Sequence, residues 1–161
     1  MPKLARWLGL ALVVIGLDQW SKLTILAHFQ PGEMRPVLPF FSLVLAFNPG
    51  AAFSFLADAG GWQKWFFLAL ALGISAWIIQ TLRREPDARW QNLALSLVLG
   101  GALGNVIDRV AYGKVVDFLL FYVGEWYWPA FNVADSAICV GAGLLVWEQF
   151  RRPQAEGQSP S

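Results

Sequence analysis

Leu4–Ala27 reads LARWLGLALVVIGLDQWSKLTILA, an apolar run interrupted by Arg6 near its start and by Asp18 and Lys22 in its second half. Crossing the hydrocarbon of a bilayer takes about 20 largely apolar residues as helix, and this run is long enough. Lys3 and Arg6 at its head are what a cleaved secretory signal would carry. The run is too long for the apolar core of such a signal, however, and it holds Asp18 and Lys22 within it. It is therefore read as a retained span. Working outward, Trp62–Leu82, Trp90–Ile107 and Ala130–Phe150 meet the same length and polarity test. The expected fold class is a mainly α membrane protein with four transmembrane helices.

Composition agrees. Of 161 residues, 57% are hydrophobic and 14% charged, against about a quarter charged in soluble domains. A net charge of +1 gives no field that would draw nucleic acid, so no nucleic-acid partner is expected. Nine Trp suit a chain with two membrane–water interfaces to anchor. One Cys, Cys139, allows no internal disulfide and is read as a small apolar filler; with His28 as the one histidine, a His/Cys zinc site is excluded in practice. No metal and no cofactor are expected.

Orientation follows from Lys and Arg, which concentrate in cytoplasmic loops. Lys3 and Arg6 flank the first span, Arg83, Arg84 and Arg89 lie between the second and third, and Arg151 and Arg152 follow the fourth. Between Phe29 and Gly61 the one arginine is Arg35. Both termini and the Arg-rich loop are thus expected in the cytoplasm, with Phe29–Gly61 and Val110–Pro129 on the outer side. Val37–Phe55, rich in Val, Phe and Leu and broken by Pro39 and Asn48-Pro49-Gly50, reads as short strands against the membrane surface. The outer β segment is set at about residues 34–57. Phe118–Trp128, aromatic and apolar, is expected in the interface. One membrane-embedded domain, residues 1–152, is expected, followed by a disordered tail at 153–161.

Ionisable residues inside a membrane are costly and by default mark function. Asp18 lies roughly 21 Å along the first helix from Leu4, in the outer half of the bilayer. The third helix runs outward and brings Asn105, Asp108 and Arg109 to its outer end. The fourth runs inward, with Asn132 and Asp135 in its first turns, and Asp117 lies between the two. Four carboxylates therefore meet near one membrane face. Plainer readings stand beside this one. Asp18 and Lys22 are spaced i, i+4 in the favourable order for an ion pair. Asn132 and Asp135 fit an N-cap with an acid at the third helical position. Asp108-Arg109 can anchor a helix end, Gly100 and Gly104 suit close helix packing, and His28 matches no motif.

Two carboxylates sharing a site cannot both ionise easily, so the pair keeps one proton and holds both halves of an acid–base couple. One member can activate water while the other polarises a carbonyl and then protonates the leaving amine. The rival serine–lysine design is weak, because adjacent Ser21 and Lys22 diverge on a helix.

Five blocks carry a family resemblance: Asp18-Gln19-Trp20-Ser21-Lys22, Asn48-Pro49-Gly50-Ala51-Ala52-Phe53-Ser54, Gly100 to Arg109 (GGALGNVIDR), Val115-Val116-Asp117-Phe118, and Phe131-Asn132-Val133-Ala134-Asp135. In this order they resemble the lipoprotein signal peptidases, or signal peptidase II, over nearly the whole chain. The resemblance implies an intramembrane aspartic peptidase of the bacterial cytoplasmic membrane with Asp117 and Asp135 as catalytic dyad. Asp18, Lys22, Asn48, Gly50, Asn105, Asp108, Arg109 and Asn132 would line or brace the site. It implies a four-helix body with a small outer-face β-cradle and an interfacial helix. The substrate would be a diacylglyceryl-modified prolipoprotein, cut N-terminal to the lipidated cysteine, and cyclic depsipeptide inhibitors such as globomycin would bind. The alternative from another class is a small transporter using the acids as a relay. The acids cluster at one face, however, and the inner stretches Leu10–Gly16 and Leu93–Leu99 hold almost no polar group that could conduct. A purely structural subunit would leave the acids unexplained.

Overall fold

The computed structural model describes residues 2–49 and 62–151. Helix α1 runs over Pro2–His28, α2 over Trp62–Arg84, α3 over Arg89–Tyr112 and α4 over Val133–Arg151. All four are long and apolar enough to cross a membrane. Strands β1 (Met34–Leu38) and β2 (Phe41–Asn48) follow α1, and β3 (Val115–Val123) and β4 (Trp126–Tyr127) link α3 to α4. Together they form an antiparallel sheet in the order β1-β2-β3-β4 at one end of the bundle. The mainly helical class with a small sheet is as the sequence implies.

Several boundaries move. Helix α3 continues five residues past Ile107, and α4 starts at Val133, three residues after Ala130, because Asn132 takes the capping position. Phe118–Trp128, expected in the interface, is made of the rest of β3, a turn at 124–125 and β4. Val115–Val123 is mostly β-branched and aromatic residues, which pack on a pleated surface, and its backbone pairs with β2. Strand β2 ends at Asn48; residues 50–57 of the expected β segment, Gly50 among them, and the tail at 153–161 lie outside the described residues. Cys139 is no core filler: it is exposed on the surface of α4. His28 sits in the last turn of α1, with Nδ1 2.8 Å from the Thr24 carbonyl.

Helix α3 is the central post. One side packs on α1 and the other on α4, and glycines make both approaches possible. A Cβ on Gly100 would fall 2.6 Å from Val14 Cβ, and one on Gly104 would fall 2.6 Å from Asp18 Oδ2. A Cβ on Gly101 would collide with the Ala134 carbonyl oxygen. The Gly100–Gly104 spacing thus serves close packing, as expected, against α1. Gly104→Ala should lower stability and activity together, since the added methyl can fit only by moving Asp18; unchanged thermal unfolding of that variant in detergent would refute so close a contact.

Away from the sheet, Trp7, Ala11, Ile78, Leu82, Leu95 and Leu99 fill the space between α1, α2 and α3. At that end Lys3 pairs with Asp87 at 2.5 Å, and the Trp7 indole N–H donates to the Pro86 carbonyl at 3.2 Å. The chain's start and the Arg-rich loop therefore lie together. Outward faces remain apolar: Leu12, Val13, Leu17, Leu70, Leu72, Trp77, Val140 and Val146 are all exposed, a surface that suits acyl chains and not water. At the other end, Ile25 of α1 and Phe29 just beyond it pack against Leu45, Val116 and Phe118 of the sheet. This second cluster fixes β3 over the bundle.

Candidate active site

Four elements bring the polar side chains together beneath the sheet. Helix α1 supplies Asp18 and Lys22, α3 supplies Asn105, Asp108 and Arg109, β3 supplies Asp117, and Asn132 with Asp135 opens α4. Gly113, at φ 76, ends α3 in the left-handed region and turns the chain into β3. Strand β2 passes from the pair Leu43↔Leu119 to Ala46↔Asp117, so it carries an extra residue beside Asp117. Such a bulge twists the local sheet and re-aims neighbouring side chains.

The carboxylates separate into two sets. Lys22 Nζ lies 2.8 Å from Asp18 Oδ2 and 2.8 Å from Asp108 Oδ2, and it donates to Asn105 Oδ1 at 3.0 Å. All three charged side chains are buried. Asp18 Oδ1 accepts the Ala134 N–H at 2.9 Å, closing an otherwise unpaired donor in the first turn of α4. Asp108 Oδ2 accepts the Val116 N–H at 3.0 Å. Gln19 Nε2 donates to Asp108 Oδ1 at 2.9 Å, to Asp18 Oδ2 at 3.2 Å and to the Gly104 carbonyl at 3.2 Å. Every oxygen of Asp18 and Asp108 is thus engaged with a cation or a fixed donor. The i, i+4 ion pair exists, but Lys22 is shared, and its second partner comes from α3.

Asp117 and Asp135 are held differently. Asn132 Nδ2 donates to Asp117 Oδ1 at 2.8 Å, and the Asn48 side chain also donates to that carboxyl. Asn105 Nδ2 donates to Asp135 Oδ1 at 2.8 Å. Neither aspartate is in an ion pair among the described residues. The two asparagines are linked by a 3.3 Å contact from Asn132 Nδ2 to Asn105 Oδ1, and Asn132 Nδ2 also reaches the Val116 carbonyl at 3.1 Å. Asn132 Oδ1 accepts the Asp135 N–H at 2.9 Å. Asn132 therefore does two things at once: its amide oxygen caps α4 and its amide nitrogen holds Asp117.

Burial pushes the Asp117 carboxyl up to about 7, and the nearby charge of Asp135 adds to the rise. Hydrogen bonds from Asn48 and Asn132, with the charge of Lys22, pull the other way. Asp117 can therefore carry a proton at neutral pH that an ordinary carboxyl would release.

Arg109 lies on the rim. Its Nη1 donates to the Asn105 carbonyl at 3.2 Å, its guanidinium stands 5.4 Å from the Phe67 ring, and its buried Nε has no hydrogen-bond partner among the described residues. Among the described residues no group of three His, Cys, Asp or Glu is arranged to hold a metal ion.

All the candidate residues that are described converge; Gly50 is the exception, lying outside them. Gln19 was missed. On a helix, neighbours in sequence diverge, so nothing in the spacing suggests that its long side chain folds back over Asp18 to reach α3.

Comparison with known proteins assigns this arrangement to a family. The family model described as signal peptidase (SPase) II matches residues 10–151. A lipoprotein signal peptidase of Cupriavidus taiwanensis is 58% identical over 146 residues, covering 91% of this chain and 83% of that one. One from Burkholderia mallei is 56% identical over 149 residues, covering 92% and 90%. Two solved structures, each described as a bacterial membrane enzyme, superpose with TM-scores of 0.82 and 0.80 at 28% and 29% identity. They cover 98% and 92% of this chain and 94% of each of theirs. With its four apolar helices, small sheet and site carried between β3 and α4, the chain belongs to the signal peptidase II family of lipoprotein signal peptidases.

Proposed function

We propose that this membrane protein is an aspartic endopeptidase using Asp117 and Asp135 as its dyad, and that it cuts diacylglyceryl-modified prolipoproteins N-terminal to the lipidated cysteine. The observation that carries the reading is the division of the carboxylates. Asp18 and Asp108 are tied up by Lys22 and fixed N–H donors. Asp117 and Asp135 are held by neutral amides, and Asp117 keeps a proton up to about pH 7. One shared proton lets the pair activate water and protonate the departing amine. Asn105 and Asn132 orient the carboxyls by donating one N–H to each. A relay across the bundle is disfavoured by the apolar core away from the sheet, where the described buried polar side chains, Ser75, Asn92 and Ser96, include no ionisable group.

The deciding experiment is cleavage of a lipidated prolipoprotein by purified protein in detergent or nanodiscs. Product should form equally with and without a chelator, since water activation rests on the dyad. Activity lost on chelation and restored by a divalent ion would overturn the dyad mechanism.

We also infer that the sheet faces outward from the cytoplasmic membrane, with both termini inside. Lys3 paired to Asp87 puts the chain's start beside the Arg-rich loop, at the end away from the sheet, and such clusters favour the cytoplasm. Reporters fused after Arg84 or Arg152 should read cytoplasm, and one within Gln30–Pro36 should read outside. Reversed labelling in the first loop would overturn the orientation.

A further inference from the structure

A groove of about 680 Å³ lies at the far end of the sheet, walled by Phe121, Tyr122, Trp126, Tyr127, Trp128 and Phe131. Its size falls in the range of sites for small organic ligands. Neither the dyad chemistry nor the helix packing uses it. Two features tie it to the active site. Phe121 is four residues beyond Asp117 on β3, so the two side chains share a face and stand roughly 13 Å apart along the strand. Phe131 stacks on Phe121 at 5.9 Å and directly precedes Asn132, the residue that holds Asp117. The backbone of Phe131 is bonded to β3 through Phe118 and Leu119. Groove and dyad are therefore two ends of one rigid unit.

The lining also restricts the occupant. Apart from Val123 every lining residue among the described ones is aromatic, and none of these is charged. Tyr and Trp pair an apolar ring with an O–H or N–H donor, a combination suited to the depth where ester carbonyls meet acyl chains. An ester-linked glyceride offers acceptors and hydrocarbon and no charge. A phospholipid would bring a phosphate to a wall without a cation.

We propose that this groove is a subsite for the glyceryl-ester end of the diacylglyceryl group on the substrate cysteine. The proposal rests on the prolipoprotein reading above. A thioether, glycerol and ester link separate the scissile bond from the first acyl methylenes, and the groove begins a comparable distance along β3 from the dyad. Because acyl chains are as apolar as the groove, its effect is to orient the lipid and hence the peptide, not to extract the chains from the bilayer. The signal helix could then lie in the membrane while the lipid end fixes which bond meets Asp117 and Asp135.

The test uses the full chain in nanodiscs with two probes bearing the same diazirine close to the ester. One is a diacylglyceryl-cysteine signal peptide, the other phosphatidylglycerol. The lipopeptide should label β3, β4 and Phe131 and be competed by unlabelled lipopeptide; the phospholipid should leave the groove unlabelled. A groove unlabelled by lipopeptide, or labelled equally by phospholipid, overturns the proposal. For kinetics, Trp126 is 86% exposed, so Trp126→Ser should fold normally. Loss of its ring should raise KM for the lipidated substrate up to about tenfold with kcat little changed. Tyr127→Phe, which removes one donor and keeps the ring, should act in the same direction and more weakly. An unaltered KM in both variants counts against the subsite. Groove labelling without any cleavage by wild type would refute the peptidase reading and leave the subsite standing, whereas cleavage without groove labelling would do the reverse.

Discussion

Asp117→Asn and Asp135→Asn should each reduce cleavage by at least about 10³-fold, the upper part of the range for positioned acid–base groups, while the protein still inserts and folds. Asparagine keeps the size of the side chain and part of its hydrogen bonding. It can neither take the water's proton nor pass one to the leaving amine. The folding half of the expectation has a definite sign for Asp117. Its carboxyl holds a proton up to about pH 7 in the folded protein, against an ordinary value of 3.8. Across that window the folded state binds more protons than the unfolded chain, so stability falls as pH rises through it. Asp117→Asn removes this slope. The variant's unfolding temperature should lie closest to wild type near pH 4 and exceed it at pH 8. The wild-type pH–rate profile should be bell-shaped, its alkaline limb falling as the shared proton is lost, with both limbs belonging to the pair. Near-normal turnover in a well-folded variant at either position would end the aspartic-peptidase assignment.

How far the sequence carries the site depends on the kind of contact. The level at which Asp18, Asp108, Asp117 and Asp135 meet follows from helix rise and the Lys/Arg bias, both nearly one-dimensional properties. Their roles do not follow from it. Which acids Lys22 takes is decided by the rotation of α1 against α3, and that rotation is set by Gly100 and Gly104. Spacing alone offers Lys22 only Asp18; Asp108 enters because the close approach brings α3 within reach of the ammonium. Asn132 shows the same limit. Its capping signal is local and legible, whereas its contacts with Asp117 and Asn105 depend on the pairing of β3 with β2. Phe118–Trp128 reads as interfacial from composition, but strand or helix there is settled by the neighbouring strand that satisfies the backbone. Aromatic and β-branched content, weighed against that of a helix, was the available signal.

Lys22→Met should be the most destabilising single change in the bundle. Methionine fills much of the volume but leaves the Asp18 and Asp108 carboxylates buried, facing one vacated position from two helices. Removing one partner of a buried ion pair costs about 3–5 kcal/mol, and here a single cation serves two acids. Asp18→Asn should cost clearly less. Lys22 then keeps Asp108 at 2.8 Å, and an amide oxygen can still accept the Ala134 N–H that caps α4. The contrast separates a stabilising network from a catalytic one. Asp18→Asn should retain measurable cleavage where Asp117→Asn does not, and adding Asp18→Asn to Lys22→Met should recover part of the lost stability by removing one unpaired carboxylate. Thermal unfolding of the three variants in one detergent supplies the double-mutant cycle. If Lys22→Met unfolds with wild type, or if the double variant is additive, the ammonium is not what holds α1 to α3. The separation of Asp18 and Asp108 from the dyad would then have to be abandoned. If the cycle shows strong coupling, Lys22 is what neutralises Asp18 and Asp108 where α1 meets α3. Asp117 and Asp135 are then left as the carboxyls free to exchange a proton with water and substrate.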